Sequence, residues 1–290
     1  MPDRRCSEPH LNQATSCQIP FTLHYKSATE MAEKKGLLKG NVGESQNQSD
    51  SDLNALNAVE AYWESSVGTN LNKLDAFTKY VSRQSITKLL ARYEIFKQQL
   101  EVNGSVVELG VHRGASLMAW AQFSAILEPV NYLRKIIGFD TFEGFPSLSE
   151  KDTTGTSEHL EVGGFKSEEN AMEDLEKAIQ VYNSSRYLNH ISKVELVKGD
   201  ISVSLPEYLE KNQHLVVSLL HLDADLYEPT KVALELLIPR MPKGAIIAFD
   251  ELNMDLFPGE TLAAMETLGL PNLRLKRFPF ATSLSYAVIE

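Results

Sequence analysis

The stretch LVVSLLHLDADLYEPTKVALELLIPRMPKGAIIAF, residues 215–249, decides the fold class of this chain. It begins and ends with short apolar runs, residues 215–222 and 245–249, which predict two buried strands. Between them, residues 228–238 carry apolar side chains at helical spacing. A strand, a helix and a strand joined by short loops predict a right-handed βαβ unit, and therefore a parallel sheet with helices on its faces.

The same alternation continues on both sides of this unit, and the C-terminus then departs from it. Residues 273–277 and 286–289 read as strands, but the eight residues between them, FPFATSLS, are too few for a crossover helix. These two strands must therefore be antiparallel. The other predicted elements are strands Ser105–Leu109, 135–139 and Val194–Lys198, and helices Ala115–Leu127, 167–182 and 259–268.

We therefore expect an α/β fold with a doubly wound, mostly parallel seven-stranded sheet and an antiparallel C-terminal hairpin. This arrangement is similar to the Rossmann-like fold of class I methyltransferases. The chain divides by pattern into three parts. Residues 1–52 form a flexible polar tail, residues 53–100 a helical cap that covers one sheet edge or contacts a substrate or second copy, and residues 101–290 the catalytic domain.

Composition limits the classes of partner. With 290 residues, 43% of them hydrophobic, the chain can bury one sizeable core. A net charge of −11 disfavours nucleic acids and anionic membranes. The only cysteines, Cys6 and Cys17, lie in the polar tail, so neither a disulfide framework nor a cysteine metal site is expected. No secretory signal or membrane span is apparent, and we expect a cytoplasmic protein.

Two strand ends carry the features of a cofactor site. In SVVELGVHRGAS, residues 105–116, Gly110 and Gly114 bracket a turn before a helix, where a β-carbon would obstruct a cofactor; close packing alone would also explain the glycines. In KIIGFDTFEGFP, residues 135–146, Asp140 ends a strand, where it can hold ribose hydroxyls or cap a turn. Its distance of thirty positions from Gly110 exceeds the spacing of about twenty in a dinucleotide fingerprint.

Acidic residues follow two other strands that the pattern makes neighbours. Asp223 and Asp225 end one apolar run, and Asp250 and Glu251 end the next. Adjacent strands lie about 5 Å apart, so the carboxylates converge, and a divalent cation with oxygen ligands, Mg²⁺, would relieve their repulsion. We expect Asp223, Asp250 and Glu251 to bind the metal, while Asp225 is open to a role as the cap of the following helix.

The long polar connection at residues 144–170 reads either as a lid over the acceptor or as a disordered surface loop. Four aromatic residues near the C-terminal part could form an apolar wall of the pocket or belong to the core; they are Phe257, Phe278, Phe280 and Tyr286.

Several segments, in this order and spacing, resemble the TylF/MycF/NovP-type family of macrocin-like sugar O-methyltransferases. They are ELGVHRGAS, GFDTFEGFP, LVKGDISVSLPEYL and HLDADLYEPTKVALELLIPRMPKGAIIAFDEL, and the likeness covers residues 101–290. The resemblance implies S-adenosylmethionine as methyl donor, with Asp223 as metal ligand and general base. Asp250 and Glu251 would complete the metal site, although the family more often has two aspartates there. The cofactor site would comprise Glu108, Gly110, Gly114, Ser116, Asp140, Thr141 and Asp200, the last near the adenine or else only a helix cap.

The function expected from these features is Mg²⁺-assisted O-methylation of a small sugar-type substrate, either a nucleotide-linked deoxyhexose or a glycosylated natural product. The family also leads us to expect a homo-oligomer. Two alternatives remain open at this point: a nicotinamide-dependent oxidoreductase, which also needs a glycine turn and a strand-end acid, and a non-catalytic binding protein on the same fold.

Overall fold

The computed structural model describes Asn47 and residues 49–290. Most of the predicted polar tail, residues 1–46 and Gln48, lies outside the described residues, as do both cysteines. The helices are α1 (Asp50–Ser65), α2 (Asn70–Asp75), α3 (Arg83–Gln98), α4 (Ala115–Leu127), α5 (Ala171–Ser185), α6 (Ile201–Lys211), α7 (Tyr227–Leu237) and α8 (Pro258–Thr267). The strands are β1 (Ser105–Leu109), β2 (Ile136–Asp140), β3 (Val194–Lys198), β4 (Val217–Leu222), β5 (Ile246–Phe249), β6 (Lys276–Arg277) and β7 (Ser285–Val288).

The strands form one seven-stranded sheet in the order β3-β2-β1-β4-β5-β7-β6. Strands β1 to β5 are parallel, and β7 pairs antiparallel with both β5 and β6. The predicted doubly wound sheet with an antiparallel C-terminal hairpin is therefore confirmed. β6 is shorter than the predicted strand at residues 273–277, and α5 begins and ends later than the predicted helix at residues 167–182.

Two apolar layers cover the sheet, one on each face. The first packs α3, α4 and α5 against the sheet around Trp120 and Phe96, both fully buried. The second packs α6, α7 and α8 around Phe139 and Phe249 on the other face. No helix in the described part of the chain is long and apolar enough to span a membrane.

The parallel direction of β1 to β5 places their carboxyl ends on one edge of the sheet. Because β1 to β5 run in the same direction, the turns that follow β1, β2 and β3 lie at the same edge as those that follow β4 and β5. β1 lies at the centre of this arrangement, between β2 and β4. Ligands of open α/β sheets bind at this carboxyl edge.

Candidate active site

The carboxyl ends of β4 and β5 bring together the acids that the sequence singled out. Oxygen atoms of Asp223, Asp225 and Glu251 lie within 4.8 Å of one another. Asp223 and Asp225 are partly exposed, whereas Glu251 is only 7% exposed and its Oε2 is buried without a hydrogen-bond partner among the residues that the structure describes. The structure thus adds Asp225 to the cluster. Asp225 does not cap α7, because the N-cap position is Leu226, and that alternative is wrong.

Asp250 lies beside this trio with a different neighbour. Its Oδ2 is 3.6 Å from Nζ of Lys88, and its Oδ1 is buried without a partner. Glu260, at the start of α8, is fully buried and accepts a hydrogen bond from the Glu251 backbone N–H at 3.1 Å. Glu260 is not predicted from the sequence as a site residue, because an acid in the first turn of a helix is ordinarily explained by the helix dipole.

The crowding of these acids changes their ionisation. Burial and the charge of Asp250 raise the pKa of Asp223 to about 7. Burial and the neighbouring acids likewise hold the pKa values of Asp225, Glu251 and Glu260 well above the ordinary carboxyl range. Burial also acts to raise the pKa of Asp250, but the charges of Lys88 and Arg92 outweigh it and lower that pKa. When no cation is nearby, Asp225, Glu251 and Glu260 therefore keep their protons to a higher pH than ordinary carboxyl groups do.

Two cations reach the cluster from the helical cap. Lys88 and Arg92 lie one turn apart on α3, and Nη2 of Arg92 is 4.0 Å from Oδ2 of Asp223. Neither residue is predicted from the sequence. A basic pair at i, i+4 on a helix with an apolar opposite face could have indicated them, but ordinary exposed helix faces show the same pattern.

The donor set suits a hard divalent cation. The converging groups are all carboxylate oxygens, and within the described part of the chain one buried oxygen of Glu251 and one of Asp250 have no hydrogen-bond partner. Buried acids without partners are costly, and Mg²⁺ prefers oxygen ligands. The residues present therefore fit the ion that the sequence predicted.

The glycine turn after β1 is shaped by the protein's own backbone. Gly110 has φ +86°, and a β-carbon there would lie 1.8 Å from the carbonyl oxygen of Asp223. A β-carbon on Gly114, φ +80°, would lie 2.5 Å from a methyl group of Leu175 in α5. Close packing explains both glycines, the second of the two readings that the sequence left open. Their contact with a cofactor remains a prediction.

The Glu108 carboxylate lies in a buried polar network beneath this turn. Its carboxylate accepts hydrogen bonds from Ser116 Oγ at 2.8 Å and Trp120 Nε1 at 2.7 Å, and it lies 3.1 Å from Nδ1 of His221. Glu108 and His221 are direct neighbours in the β1–β4 register and are both 0% exposed. Glu108 and Ser116 thus fix the start of α4 to the sheet. Their contact with a cofactor stays a prediction.

Asp140 holds the same turn from β2. Its Oδ2 accepts hydrogen bonds from the backbone N–H groups of Val111 and His112, both at 2.7 Å, and its Oδ1 accepts one from Phe142 N–H at 2.6 Å. The turn-capping role that the sequence allowed for Asp140 is therefore present. Oδ1 accepts only one of these three hydrogen bonds, so its second lone pair can accept one from a ligand hydroxyl.

A cavity of about 390 Å³ opens beside the ends of β2 and β3. Two predicted cofactor residues, Thr141 and Asp200, line it. Asp200 also caps α6, because its side chain accepts a hydrogen bond from Ser202 N–H at 2.9 Å. The cavity lies in the size range of small-ligand sites. Its other lining residues are Glu143, Gly144, Phe145, Pro146, Val162, Gly163, Lys198 and Gly199.

The 144–170 segment is folded onto the site, so the alternative of a disordered loop is wrong. Asp152 is 1% exposed, and its Oδ1 accepts a hydrogen bond at 2.8 Å from the Tyr227 backbone N–H at the start of α7. Its Oδ2 accepts hydrogen bonds from the backbone and hydroxyl of Ser149. At the other end of the segment, Glu168 pairs with Arg113 of the glycine turn. The segment thus bridges the acid cluster and the glycine turn.

The four aromatic residues fall into different environments. Phe257 is buried under the 144–170 segment, with its ring 5.7 Å from that of Phe165. Tyr286 is also buried and stacks on Phe278 at 5.3 Å, whereas Phe280 is 47% exposed. Phe257 and Tyr286 therefore belong to the apolar clusters of the protein.

The strand order, the antiparallel finish and a ligand edge lined by a glycine turn and acids define a class I methyltransferase fold. Within that class, residues 66–259 match the family described as macrocin-O-methyltransferase (TylF), and the chain belongs to this family of O-methyltransferases. No curated protein sequence matches the chain at a significant level.

Solved structures agree with this assignment. The chain is similar to CalS11, a calicheamicin methyltransferase, with 31% identity, a TM-score of 0.80, and coverage of 83% of this chain and 94% of that one. An apo structure of CalS11, described as a TDP-rhamnose 3'-O-methyltransferase, gives 28% identity and a TM-score of 0.73, covering 83% and 96%. The O-methyltransferase NovP, at 20% identity and a TM-score of 0.55 over 70% and 80%, shares the fold.

Proposed function

We propose that this protein uses S-adenosylmethionine and Mg²⁺ to methylate a hydroxyl group of a small sugar-type substrate. The observation that carries the proposal is the placement of two different sites at one sheet edge. The cavity beside β2 and β3 lies on one side of β1, and the acid cluster after β4 and β5 lies on the other. An acceptor held over β1 would have a cofactor on one side and a cation with a base on the other.

Residues around the cavity would bind the cofactor. Thr141 and Asp200 offer polar atoms for the adenosine part, with Gly144 and Gly199 lining the same space. Asp140 would take the ribose hydroxyls while it continues to hold the glycine turn. Glu108, Gly110, Gly114 and Ser116 would set the position of that turn from below. S-adenosylmethionine, when bound, supplies an electrophilic methyl group on a sulfonium.

Asp223 is the residue that we assign as the general base. Without a cation its pKa is about 7, and a bound cation would favour its carboxylate form, which is the form that accepts a proton. Asp223, Asp225 and Glu251 present converging oxygens for Mg²⁺, and Asp250, with its unpartnered Oδ1, is the fourth candidate ligand. The bound ion supplies Lewis acidity, which makes a sugar hydroxyl a stronger acid and fixes its position. Asp223 would then take the hydroxyl proton as the oxygen bonds to the methyl carbon, and the methyl–sulfur bond would break with its electron pair passing to sulfur, which leaves a neutral thioether.

The substrate class that we propose first is a nucleotide-linked deoxyhexose. CalS11, whose described substrate is TDP-rhamnose, matches 83% of this chain. A sugar already attached to a natural product is the second candidate, because a site that reads only the sugar ring and its hydroxyls accepts either form.

Ligand binding and turnover test the proposal together. S-adenosylmethionine should raise the melting temperature of the purified protein, whereas NADH, the cofactor of the alternative oxidoreductase, should leave it unchanged. A labelled methyl group should pass to a panel of TDP-deoxyhexoses, stop with EDTA, and resume when Mg²⁺ is restored. Stabilisation by NADH alone, or full turnover in EDTA, would refute the proposal. Transfer to glycosylated natural products but to no sugar nucleotide would select the second substrate class.

A further inference from the structure

Helix α3 contributes a pair of positive charges to a site otherwise made of strand-end acids. Lys88 and Arg92 are spaced by four residues and therefore lie on the same helix face. Lys88 Nζ is 3.6 Å from Asp250 Oδ2, and Arg92 Nη2 is 4.0 Å from Asp223 Oδ2. Each cation thus contacts one of the two acids that directly follow β4 and β5.

Packing of α3, and not the ion pairs alone, fixes these positions. Ala91, Ile95 and Phe96 on the same helix are fully buried in the apolar layer on that face of the sheet. Arg92 itself is 8% exposed, and its Nε is buried without a hydrogen-bond partner. A guanidinium kept in this environment is held close to the acids even though its own hydrogen bonding is incomplete.

The charge count shows what the pair accomplishes. The cluster contains five acids, Asp223, Asp225, Asp250, Glu251 and Glu260, and a bound divalent cation would favour their ionised forms, so the ionised acids would outnumber the two charges of one ion. Lys88 and Arg92 cancel two of these charges. Two fixed positive charges at these distances would weaken the attraction of the cluster for a divalent cation.

We propose that Lys88 and Arg92 are positioning residues that act as built-in counter-ions of the metal site and set its affinity for divalent cations. The proposal rests on the metal site of the proposed function. It gives the N-terminal helical segment a role in the active site, where the sequence left open a cover for one sheet edge or a contact with a substrate or a second copy. A direct consequence concerns sign: removal of a counter-ion strengthens cation binding, whereas removal of a merely structural residue weakens it.

The decisive variant is Lys88→Met, which removes the charge and keeps much of the apolar stem. Binding of Mn²⁺, followed by electron paramagnetic resonance, and of Mg²⁺, followed by calorimetry, should become about threefold to tenfold tighter at low ionic strength. The difference should shrink in high salt because the interaction is electrostatic. Lys88→Arg should bind like the unmodified protein. Lys97→Met on the same helix, which removes an exposed lysine paired with Glu94, is the matched control and should also leave metal affinity unchanged.

Arg92 provides a second comparison within the same experiment. Arg92→Lys keeps the charge and should retain the original metal affinity, whereas Arg92→Met should bind the ion more tightly. If Arg92→Met does not fold, the Lys88 series still decides the question, because the Lys88 side chain is 52% exposed. Unchanged or weaker metal binding in a folded Lys88→Met protein would overturn the counter-ion role and leave the proposed function intact. An unmodified protein that binds no divalent cation would overturn both.

Discussion

Gly110 lies directly against Asp223, because a β-carbon on the glycine would be 1.8 Å from the aspartate carbonyl oxygen. The contact joins the turn after β1 to the first residue after β4, and Asp223 N–H also donates to Leu109 O at 2.9 Å. The predicted cofactor turn and the predicted base are therefore held together by direct backbone contacts. A substitution that displaces Gly110 should also displace Asp223.

The first prediction follows from this contact. Gly110→Ala should destabilise the protein by about 3 kcal/mol or more, because the positive φ is strained for alanine and the new methyl group meets a backbone carbonyl that cannot move freely. Thermal unfolding would record the loss. Gly163→Ala is the matched control: Gly163 has nearly the same φ, +85°, but nothing lies within 4 Å of an added β-carbon. It should lose only about 1 kcal/mol, and equal losses in the two variants would contradict the steric argument.

Sequence and structure agree most closely where a pattern is local. The apolar runs of β4 and β5 and the helix between them specify the parallel unit, because burial on both faces of a strand requires continuous apolar residues. The convergence of acids after β4 and β5 is as predicted, since the ends of neighbouring parallel strands coincide in space, but the trio within 4.8 Å contains Asp225 in the place expected for Asp250. Seven strands and their antiparallel finish followed from the same reasoning.

The parts that the sequence could not supply depend on contacts between distant segments. Lys88 precedes Asp250 by more than 150 residues, and no periodicity in α3 reveals which side of the helix meets the sheet edge. Similarly, the cap of α7 comes from Asp152, 75 residues away, and not from the adjacent Asp225. The sequence marks Gly110 as a turn glycine. The Asp223 carbonyl group that excludes a β-carbon there is brought to it only by the pairing of β1 with β4.

The second prediction separates the roles of two acids in the cluster. Asp223→Asn should lower methyl transfer by about 10²- to 10⁴-fold at any Mg²⁺ concentration, because an amide cannot accept the hydroxyl proton. Asp225→Asn removes one ligand charge but no base, so high Mg²⁺ should restore most of its turnover. Steady-state rates measured across a Mg²⁺ series would distinguish them. Complete rescue of Asp223→Asn by metal would show that Asp223 is only a ligand.

The third prediction concerns stability against pH in EDTA. The folded-state pKa of Asp223 is about 7 against an ordinary value of 3.8, and the pKa values of Asp225 and Glu251 are also raised. The native state therefore holds more protons than the unfolded state in this window. Stability should be greatest near the lower end and fall as pH rises from about 4 to about 7, the interval between the unfolded and folded pKa values of Asp223, by on the order of 4 kcal/mol. Chemical denaturation at several pH values measures the slope.

Mg²⁺ provides the control for this pH dependence. A bound cation stabilises the ionised carboxylates, so saturating Mg²⁺ should flatten the decline above pH ~6. Stability that rises with pH in EDTA would contradict the raised pKa values, and a decline that Mg²⁺ leaves unchanged would place its cause outside the metal site.

The fourth prediction concerns the anchor of the 144–170 segment. Asp152 caps α7 by accepting a hydrogen bond from the backbone N–H of Tyr227, which is two residues after Asp225. Asp152→Ala therefore removes a helix cap and leaves this buried N–H without its acceptor. We expect a loss of about 1–3 kcal/mol in unfolding free energy, faster proteolysis within residues 144–170, and weaker Mg²⁺ binding as the Asp223–Asp225 loop loses its fixed end. Asp152→Asn keeps an oxygen for the Tyr227 N–H, so its unfolding free energy should lie between those of the unmodified protein and Asp152→Ala.

Asp255→Ala, which changes an exposed acid on the neighbouring loop, is the control and should change stability by no more than about 0.5 kcal/mol. If Asp152→Ala is no more susceptible to protease than Asp255→Ala, the segment is held by its apolar contacts around Phe257, and the cap serves α7 alone.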